Sequence, residues 1–358
     1  MTKALTYLLA AAAATTLLAG GAAAQETVRL NGAGATFPNP IYSKWVLEYH
    51  TAHPNVEINY QAIGSGGGIR QFTDKTVDFG ATDGPMTDAQ IQAVNGNVYH
   101  LPTVLGAVVP TYNIPGVTAQ LKFTGDVLAA IFLGQITKWN DSRITAINPG
   151  VNLPDQDIVV AHRSDGSGTT YIWSDYLSKV SPDWAQRVGK GTSVNWPVGL
   201  GGQGNPGVAN IVKQTPGALG YVELIYAIQN NIGYGLVRNK AGNYIQATLE
   251  TTTNAAAGAV ASLDANTDFR VSITDADGRD VYPIASFTWL LVPQQMTDAT
   301  KARALLEFVW WAVHDGEQYC KDLSYAPLPR RVVQLEEERL KSVTVDGKAV
   351  LPRNYRGR

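Results

Sequence analysis

Ala161-His162-Arg163-Ser164-Asp165-Gly166-Ser167-Gly168-Thr169-Thr170 lies between two different periodicities. Ahead of it, Ile158-Val159-Val160-Ala161 is an apolar, β-branched run that reads as a strand; behind it, Tyr171, Trp173, Tyr176 and Leu177 recur at helical spacing and predict a helix over 171–180. The segment between them is therefore a strand-to-helix turn. Gly166 and Gly168 admit backbone angles that other residues resist, and Ser167 or Thr169 can cap the helix. A helix start offers unpaired N–H groups and the positive end of the helix dipole, which together favour an anion. Arg163 adds a planar fork of donors suited to an oxyanion.

Two more turns of this kind lie upstream. Val28-Arg29-Leu30 reads as a short strand. It leads through the glycine-rich turn Asn31-Gly32-Ala33-Gly34-Ala35-Thr36-Phe37-Pro38 to a helix over 40–53, with Tyr42, Trp45, Val46 and Tyr49 on one face. Thr36 is placed as a cap or a donor. Val56-Glu57-Ile58-Asn59-Tyr60 alternates as a strand, and Gly64-Ser65-Gly66-Gly67-Gly68 then opens a short helix carrying Ile69 and Phe72. A strand over 77–82 ends in the acidic turn Asp83-Gly84-Pro85. The apolar run over 101–114 suits a long strand passing between domains, and Ser286-Phe287-Thr288-Trp289-Leu290-Leu291-Val292 suits its return.

The remaining stretches are plainer. Residues 199–207 read as a flexible glycine-rich loop before a helix over 208–214, and 251–268 as a surface helix and loop. Ala302, Leu305, Leu306, Val309, Trp310 and Val313 form an amphipathic helix. A last helix follows Pro329, with Glu336-Glu337-Glu338-Arg339 as a solvated face. Nothing is assigned to the chain after Val343. Repeated strand–turn–helix units imply an α/β architecture with a mostly parallel sheet, in which ligands bind at the carboxyl ends of strands.

Whole-chain properties narrow the chemistry. The 358 residues suggest two domains. A formal charge of -2 gives no broad basic face for nucleic acid or anionic lipid, so any anion must be held locally. Residues 1–24 carry Lys3, an apolar run and Ala22-Ala23-Ala24, the pattern of a signal peptide cut before Gln25. Leu18-Ala19-Gly20-Gly21 has glycine where a lipoprotein needs cysteine, so the product is expected to be soluble and exported. Cys320 is the only cysteine, which excludes an intrachain disulfide and a cysteine metal site; burial is expected for it. The five histidines form no H-E-x-x-H pattern, and neither a G-x-S-x-G elbow nor a phosphate-binding G-x-x-x-x-G-K-[ST] loop occurs.

Thr36, Phe37, Ser65, Gly66, Arg163, Ser167, Gly168 and Thr169 thus offer hydroxyls, backbone N–H groups and one guanidinium. Asp83 is the exception. A carboxylate repels an unprotonated dianion but accepts a hydrogen bond from a ligand carrying its own O–H. Phosphate keeps a proton near neutral pH and sulfate does not. A carboxylate in a dry, donor-lined site therefore selects phosphate, and such discrimination reaches roughly 10⁴-fold or more. Asp165, two residues after Arg163, is placed to hold the guanidinium. Singly, each residue has a simpler reading: a turn, a cap or a surface ion pair. Only the combination points to one ligand.

The same residues carry a resemblance. Gly32-Ala33-Gly34-Ala35-Thr36-Phe37-Pro38, Gly64-Ser65-Gly66-Gly67-Gly68, Val77-Asp78-Phe79-Gly80-Ala81-Thr82-Asp83 and Arg163-Ser164-Asp165-Gly166-Ser167-Gly168-Thr169 resemble the phosphate-binding protein of the phosphate-specific ABC transporter, the PstS family. So do Trp196-Pro197-Val198-Gly199-Leu200-Gly201-Gly202, Pro216-Gly217-Ala218-Leu219-Gly220-Tyr221-Val222 and Tyr325-Ala326-Pro327-Leu328-Pro329. The resemblance implies a two-lobe, type II periplasmic-binding-protein fold: mixed, mostly parallel sheets with flanking helices and a hinge of crossing strands. Lobe I is expected over 25–105 plus 285–358 and lobe II over 106–284, with the ligand cleft between them. It implies phosphate contacts at Thr36, the Phe37 backbone, Ser65, Asp83, Arg163, Ser167, Gly168 and Thr169, with Asp83 accepting the phosphate proton and Asp165 supporting Arg163. Gly66 departs from related sequences that carry a second serine there. The implied partners are inorganic phosphate and the permease and ATPase of an importer. The expected form is a periplasmic monomer with no cofactor, no metal and no catalysis. The competing readings are a secreted phosphomonoesterase and a phosphate-binding adhesin on the same fold.

Overall fold

The structure, a computed structural model, describes residues 27–357. The expected signal peptide lies outside the described residues. A mixed sheet of nine strands forms the frame. Its order is Val56–Ala62, Val28–Gly34, Phe79–Thr82, Ala285–Val292, Tyr99–Tyr112, Ala218–Glu223, Val159–Arg163 and Leu200–Gly202, with Gly233–Tyr234 pairing the far end of Tyr99–Tyr112. The three strands at each outer end are mutually parallel, and Ala285–Val292 and Tyr99–Tyr112 run antiparallel between them.

Tyr99–Tyr112 joins the two halves of the sheet by changing partner. From Tyr99 to Ala107 it pairs with Ala285–Val292; from Val108 to Tyr112 it pairs with Ala218–Glu223. The expected long crossing strand and its return are thus both present. Pro102 lies where the register shifts: Trp289 opposes Pro102 and Thr288 opposes Val104, leaving Thr103 extra. Proline has no N–H for the ladder, and a bulge accommodates it while re-aiming neighbouring side chains. Thr103 Oγ1 donates to the Thr288 carbonyl at 3.3 Å and bonds the Tyr42 hydroxyl at 2.7 Å. Gly106, on the same strand, is required by packing, since a Cβ there would lie 2.4 Å from the Phe37 ring.

The helices cover the sheet as their apolar spacing predicts. Asn39–Ala52 buries Ile41, Tyr42, Trp45 and Tyr49. Gly168–Val180 buries Ile172, Trp173, Tyr176 and Leu177, and Ala299–Ala312 buries Leu305, Leu306, Val309 and Trp310. Trp45, Trp139, Trp173, Trp184 and Trp289 are fully enclosed. Each such ring is worth about 5 kcal/mol of transfer free energy at ~25 cal/mol/Å². Cys320 is buried, and burial pushes its thiol up to about 12. No helix among the described residues is long and apolar enough to cross a membrane.

Several local expectations change. The glycine-rich stretch over 199–207 is ordered rather than flexible: Leu200–Gly202 is the sheet's edge strand, paired with Ala161–Arg163, and a helix begins at Gly204. The glycines at 66–68 lie inside the first turns of helix Ser65–Thr73 rather than ahead of it. After Val343 the chain forms a small hairpin, Thr344–Val345 with Lys348–Ala349, docked on Gln295–Met296, and buries Leu351. In helix Arg330–Ser342 the acidic run is not all solvated. Glu336 is on the inner face with Val332, Leu335 and Leu340, and neither carboxyl oxygen has a partner. The 3.6-residue period places it there, whatever its charge.

Burial drives the Glu336 carboxyl well above its ordinary range. A folded-state value above the unfolded one means that the folded protein holds the extra proton, so stability falls as pH rises above about 4.5. Glu336→Met is expected to raise unfolding free energy by about 1–3 kcal/mol at neutral pH. The gain should grow from pH 5 to pH 8, and denaturant unfolding at both values checks it.

Candidate functional site

Four strand ends and the turns after them supply the site. On one half of the sheet, Thr36 and Phe37 follow strand Val28–Gly34, Ser65 opens helix Ser65–Thr73, and Asp83 follows strand Phe79–Thr82. On the other, Arg163 ends strand Val159–Arg163 and Ser167 caps helix Gly168–Val180, its Oγ accepting from the Thr170 N–H at 3.0 Å. Within each half, a parallel strand followed by a helix delivers its turn to the carboxyl ends of the strands. Three antiparallel pairings make the two halves run in opposite senses, and because they are offset along Tyr99–Tyr112, those ends face each other where that strand changes partner.

The two sets meet. A Cβ on Gly168 would lie 2.5 Å from both Asp83 Oδ2 and Ser65 Oγ, so only glycine permits this approach. The Gly66 N–H donates to the Gly166 carbonyl at 2.9 Å. Gly64 has φ 90°, and a Cβ on it would lie 2.2 Å from Asp165 Oδ2. Thr36 is joined to Thr169 through Asn205, whose Nδ2 donates to Thr36 Oγ1 at 2.9 Å and to Thr169 Oγ1 at 3.0 Å. All ten residues singled out in the sequence thus belong to one cluster, Phe37 through its backbone.

Charge is balanced locally. The Arg163 side chain is only 1% exposed. Its Nε donates to Asp165 Oδ1 at 2.7 Å and Nη2 to Oδ2 at 2.5 Å, a bidentate pair, while Nη1 donates to Thr169 Oγ1 at 3.3 Å. Burial by itself would raise the Asp165 carboxyl; the Arg163 hydrogen bonds and charge outweigh it and hold Asp165 below the usual range. Asp83 is 1% exposed. Burial pushes it up to about 7, against the opposing pull of the Thr288 hydroxyl, the Arg163 charge and Ser65. Thr288 Oγ1 donates to Asp83 Oδ1 at 2.8 Å, and the Asp83 N–H donates to Ser65 Oγ at 3.1 Å.

Donor capacity is left over. Among the described residues, the Phe37, Gly168 and Thr169 N–H groups have no protein acceptor. Tyr226 and Tyr325 hydroxyls take the Thr36 and Phe37 carbonyls, each at 2.5 Å, so that turn spends its acceptors on the protein and keeps its donors. Thr36, Ser167 and Thr169 hydroxyls accept from neighbours, and no group among the described residues accepts from them. The arrangement can hold an acceptor-rich anion that also presents one hydrogen to Asp83. A groove of about 700 Å³ beside Phe72, Asp78, Pro293 and Lys301 lies elsewhere; its Lys301–Asp78 pair at 2.9 Å is already satisfied.

Sequence reasoning missed two members. Asn205 stood in the stretch read as a loop; its signal was a glycine-flanked Asn-Pro just before an apolar helix. Thr288 was one of two hydroxyls, with Ser286, inside an otherwise apolar strand, and only its hydrogen bond to Asp83 shows why it matters.

The sequence profile of the PBP superfamily domain matches residues 21–315. A relative from Xylella fastidiosa (strain Temecula1), named phosphate-binding protein PstS, is 44% identical over 310 residues, 86% of this chain and 84% of its own. Another of that name from Pasteurella multocida is 44% identical over 306 residues, 85% and 88% of the two chains. The chain belongs to the PstS family. A third member, from Methanocaldococcus jannaschii, is 40% identical and covers 82% of this chain and 80% of its own. Among solved structures, a phosphate-binding protein from Stenotrophomonas maltophilia superposes with TM-score 0.65 at 19% identity, covering 88% and 94% of the two chains. An ABC-type phosphate transport receptor from Vibrio cholerae gives 0.55 at 16%, covering 84% and 100%. These two likenesses concern the fold alone.

Asp83 should make stability pH-dependent. Its folded value, about 7, exceeds the unfolded value of 3.8, so the folded state holds the extra proton between them and stability falls as pH rises through that window. The loss is roughly 4 kcal/mol at most. Asp83→Asn is expected to flatten this part of the stability–pH curve of the ligand-free protein, measured by denaturant unfolding.

Proposed function

We propose that this PstS-family protein binds one inorganic phosphate between lobe I, residues 25–105 plus 285–358, and lobe II, residues 106–284, and delivers it to the permease and ATPase of a phosphate importer. The contacts are Thr36, the Phe37 N–H, Ser65, Asp83, Arg163, Ser167, Gly168 and Thr169, with Asp165 holding Arg163 and Gly66 completing the turn. The N-terminal 24 residues direct export to the periplasm and are removed. The named relatives support this reading. The single observation that carries it is Asp83, a buried carboxyl bonded by the Thr288 hydroxyl and set against the Gly168 helix start. Catalysis is not part of the proposal. Among the described residues no histidine bonds Ser65 or Ser167, so neither hydroxyl has the paired base that would activate it.

Calorimetry on the mature protein, refolded to remove endogenous ligand, should show one phosphate bound and no turnover of p-nitrophenyl phosphate. Solution scattering should show compaction on binding, because a ligand shared by two lobes favours the closed form. Turnover lost on mutating the site would replace transport with hydrolysis.

Selectivity provides a second test. Asp83→Asn is expected to narrow the phosphate-to-sulfate affinity ratio by roughly 100-fold or more, because the amide can donate to sulfate where the carboxylate repels it. An unchanged ratio removes Asp83 from the discrimination.

A further inference from the structure

Asn205 is fully buried at the start of helix Gly204–Gln214, and all of its hydrogen-bonding groups are engaged. Its Oδ1 accepts from the Glu223 N–H at 2.9 Å. A backbone N–H can only donate, so this bond fixes which end of the amide is oxygen. Nδ2 must then face the two threonines, one hydrogen on Thr36 Oγ1 at 2.9 Å and the other on Thr169 Oγ1 at 3.0 Å. The Asn205 N–H also donates to Thr36 Oγ1 at 3.1 Å, and Arg163 Nη1 donates to Thr169 Oγ1 at 3.3 Å. Each threonine oxygen therefore receives two hydrogen bonds, the full complement of its lone pairs. What remains to each is one O–H, with no acceptor among the described residues. Thr36 belongs to one half of the sheet and Thr169 to the other, so the same amide also ties the halves together.

We propose that Asn205 is a positioning residue: held by Glu223, its amide forces the Thr36 and Thr169 hydroxyls to act only as donors toward the anion and latches the closed cleft around it. This rests on the phosphate reading above. A free threonine hydroxyl can turn and accept, which would suit water or a cation as well as an anion. Filling both lone pairs from the protein removes that option. Sites gain specificity when a group is denied its alternative role. The Glu223–Asn205–threonine relay is the part of the site that sets its polarity without touching the ligand.

The test uses stopped-flow and calorimetric phosphate binding by the full mature protein. Asn205→Ala should weaken phosphate binding about tenfold or more, through faster release with association little changed, since the latch exists only in the closed form. Asn205→Asp, of the same shape, should weaken it further, because a carboxylate accepts from both hydroxyls and takes away their donors. A packing role predicts the reverse order, with the isosteric variant milder. A double-mutant cycle separates polarity from added charge: Thr36→Val should cost much less affinity in the Asn205→Ala background than in the wild type. Equal cost in both backgrounds, or unchanged release from Asn205→Ala, overturns the inference while leaving phosphate binding intact. Should Asn205→Asp fail to fold, the Thr36→Val and Asn205→Ala cycle decides alone. Wild-type protein that binds no phosphate overturns the proposed function, and this inference with it.

Discussion

A carboxyl group and a guanidinium, both withdrawn from water, face the same small cleft from opposite halves of one sheet. Asp83 and Arg163 are each almost fully buried, and burying a charge is costly unless it is paired and hydrogen-bonded. Arg163 meets that condition with its bidentate Asp165 pair. Asp83 does not: its protein partners are hydroxyls, with Arg163 acting on it only as a nearby charge. The imbalance leaves a carboxyl poised near neutrality, and among the described residues the donors that remain around it have no protein acceptor. The rest of the fold serves to hold these two groups at that separation and to keep water from relaxing the tension between them.

The means is the crossing strand. Tyr99–Tyr112 pairs with one half of the sheet over its first part and with the other over its second. The halves are therefore tied through a continuous backbone, whose Gly106 leaves room for Phe37. The bulge opposite Thr288 is a consequence of Pro102, and it sits one hydrogen bond from the site: Thr103 bonds the Thr288 carbonyl, and the Thr288 hydroxyl bonds Asp83. An irregularity that would weaken an ordinary strand here aims the residue that keeps Asp83 an acceptor. Arg270 adds a brace on the flank, its Nη1 donating to the Met86 carbonyl and Asp88 at 3.0 and 2.8 Å.

How far the sequence reaches depends on what each residue's role is made of. Strand–turn–helix order, the three donor turns and the lone Asp83 were legible, because periodicity and side-chain chemistry are local properties. Their convergence within each half followed from the parallel connections; the meeting of the two halves depends on the crossing strand Tyr99–Tyr112, across which the two parallel sets run in opposite senses. Asn205 and Thr288 were not legible, because their importance lies in partners 169 and 205 residues away in the chain, Thr36 and Asp83. Glu336 misled for the opposite reason. Its neighbours are charged, and composition suggested solvent, but helical period decides which face a residue occupies and placed it inward. The stretch over 199–207 misled because glycine signals freedom in isolation; paired to Ala161–Arg163, the same glycines admit close backbone packing.

Gly66 shows what such closeness implies at the cleft. Its N–H donates to the Gly166 carbonyl, and a Cβ on Gly66 would sit 3.0 Å from the Gly166 Cα. Two glycines therefore face each other across the line where the halves meet, with backbone against backbone. A serine at position 66 would add a hydroxyl, but its Cβ would have to move the facing loop by a few tenths of an ångström. Glycine at 66 thus forgoes a side-chain donor and permits a tighter seam. A tighter seam lowers the effective dielectric around Asp83 and Arg163, and electrostatic interactions strengthen as water is excluded.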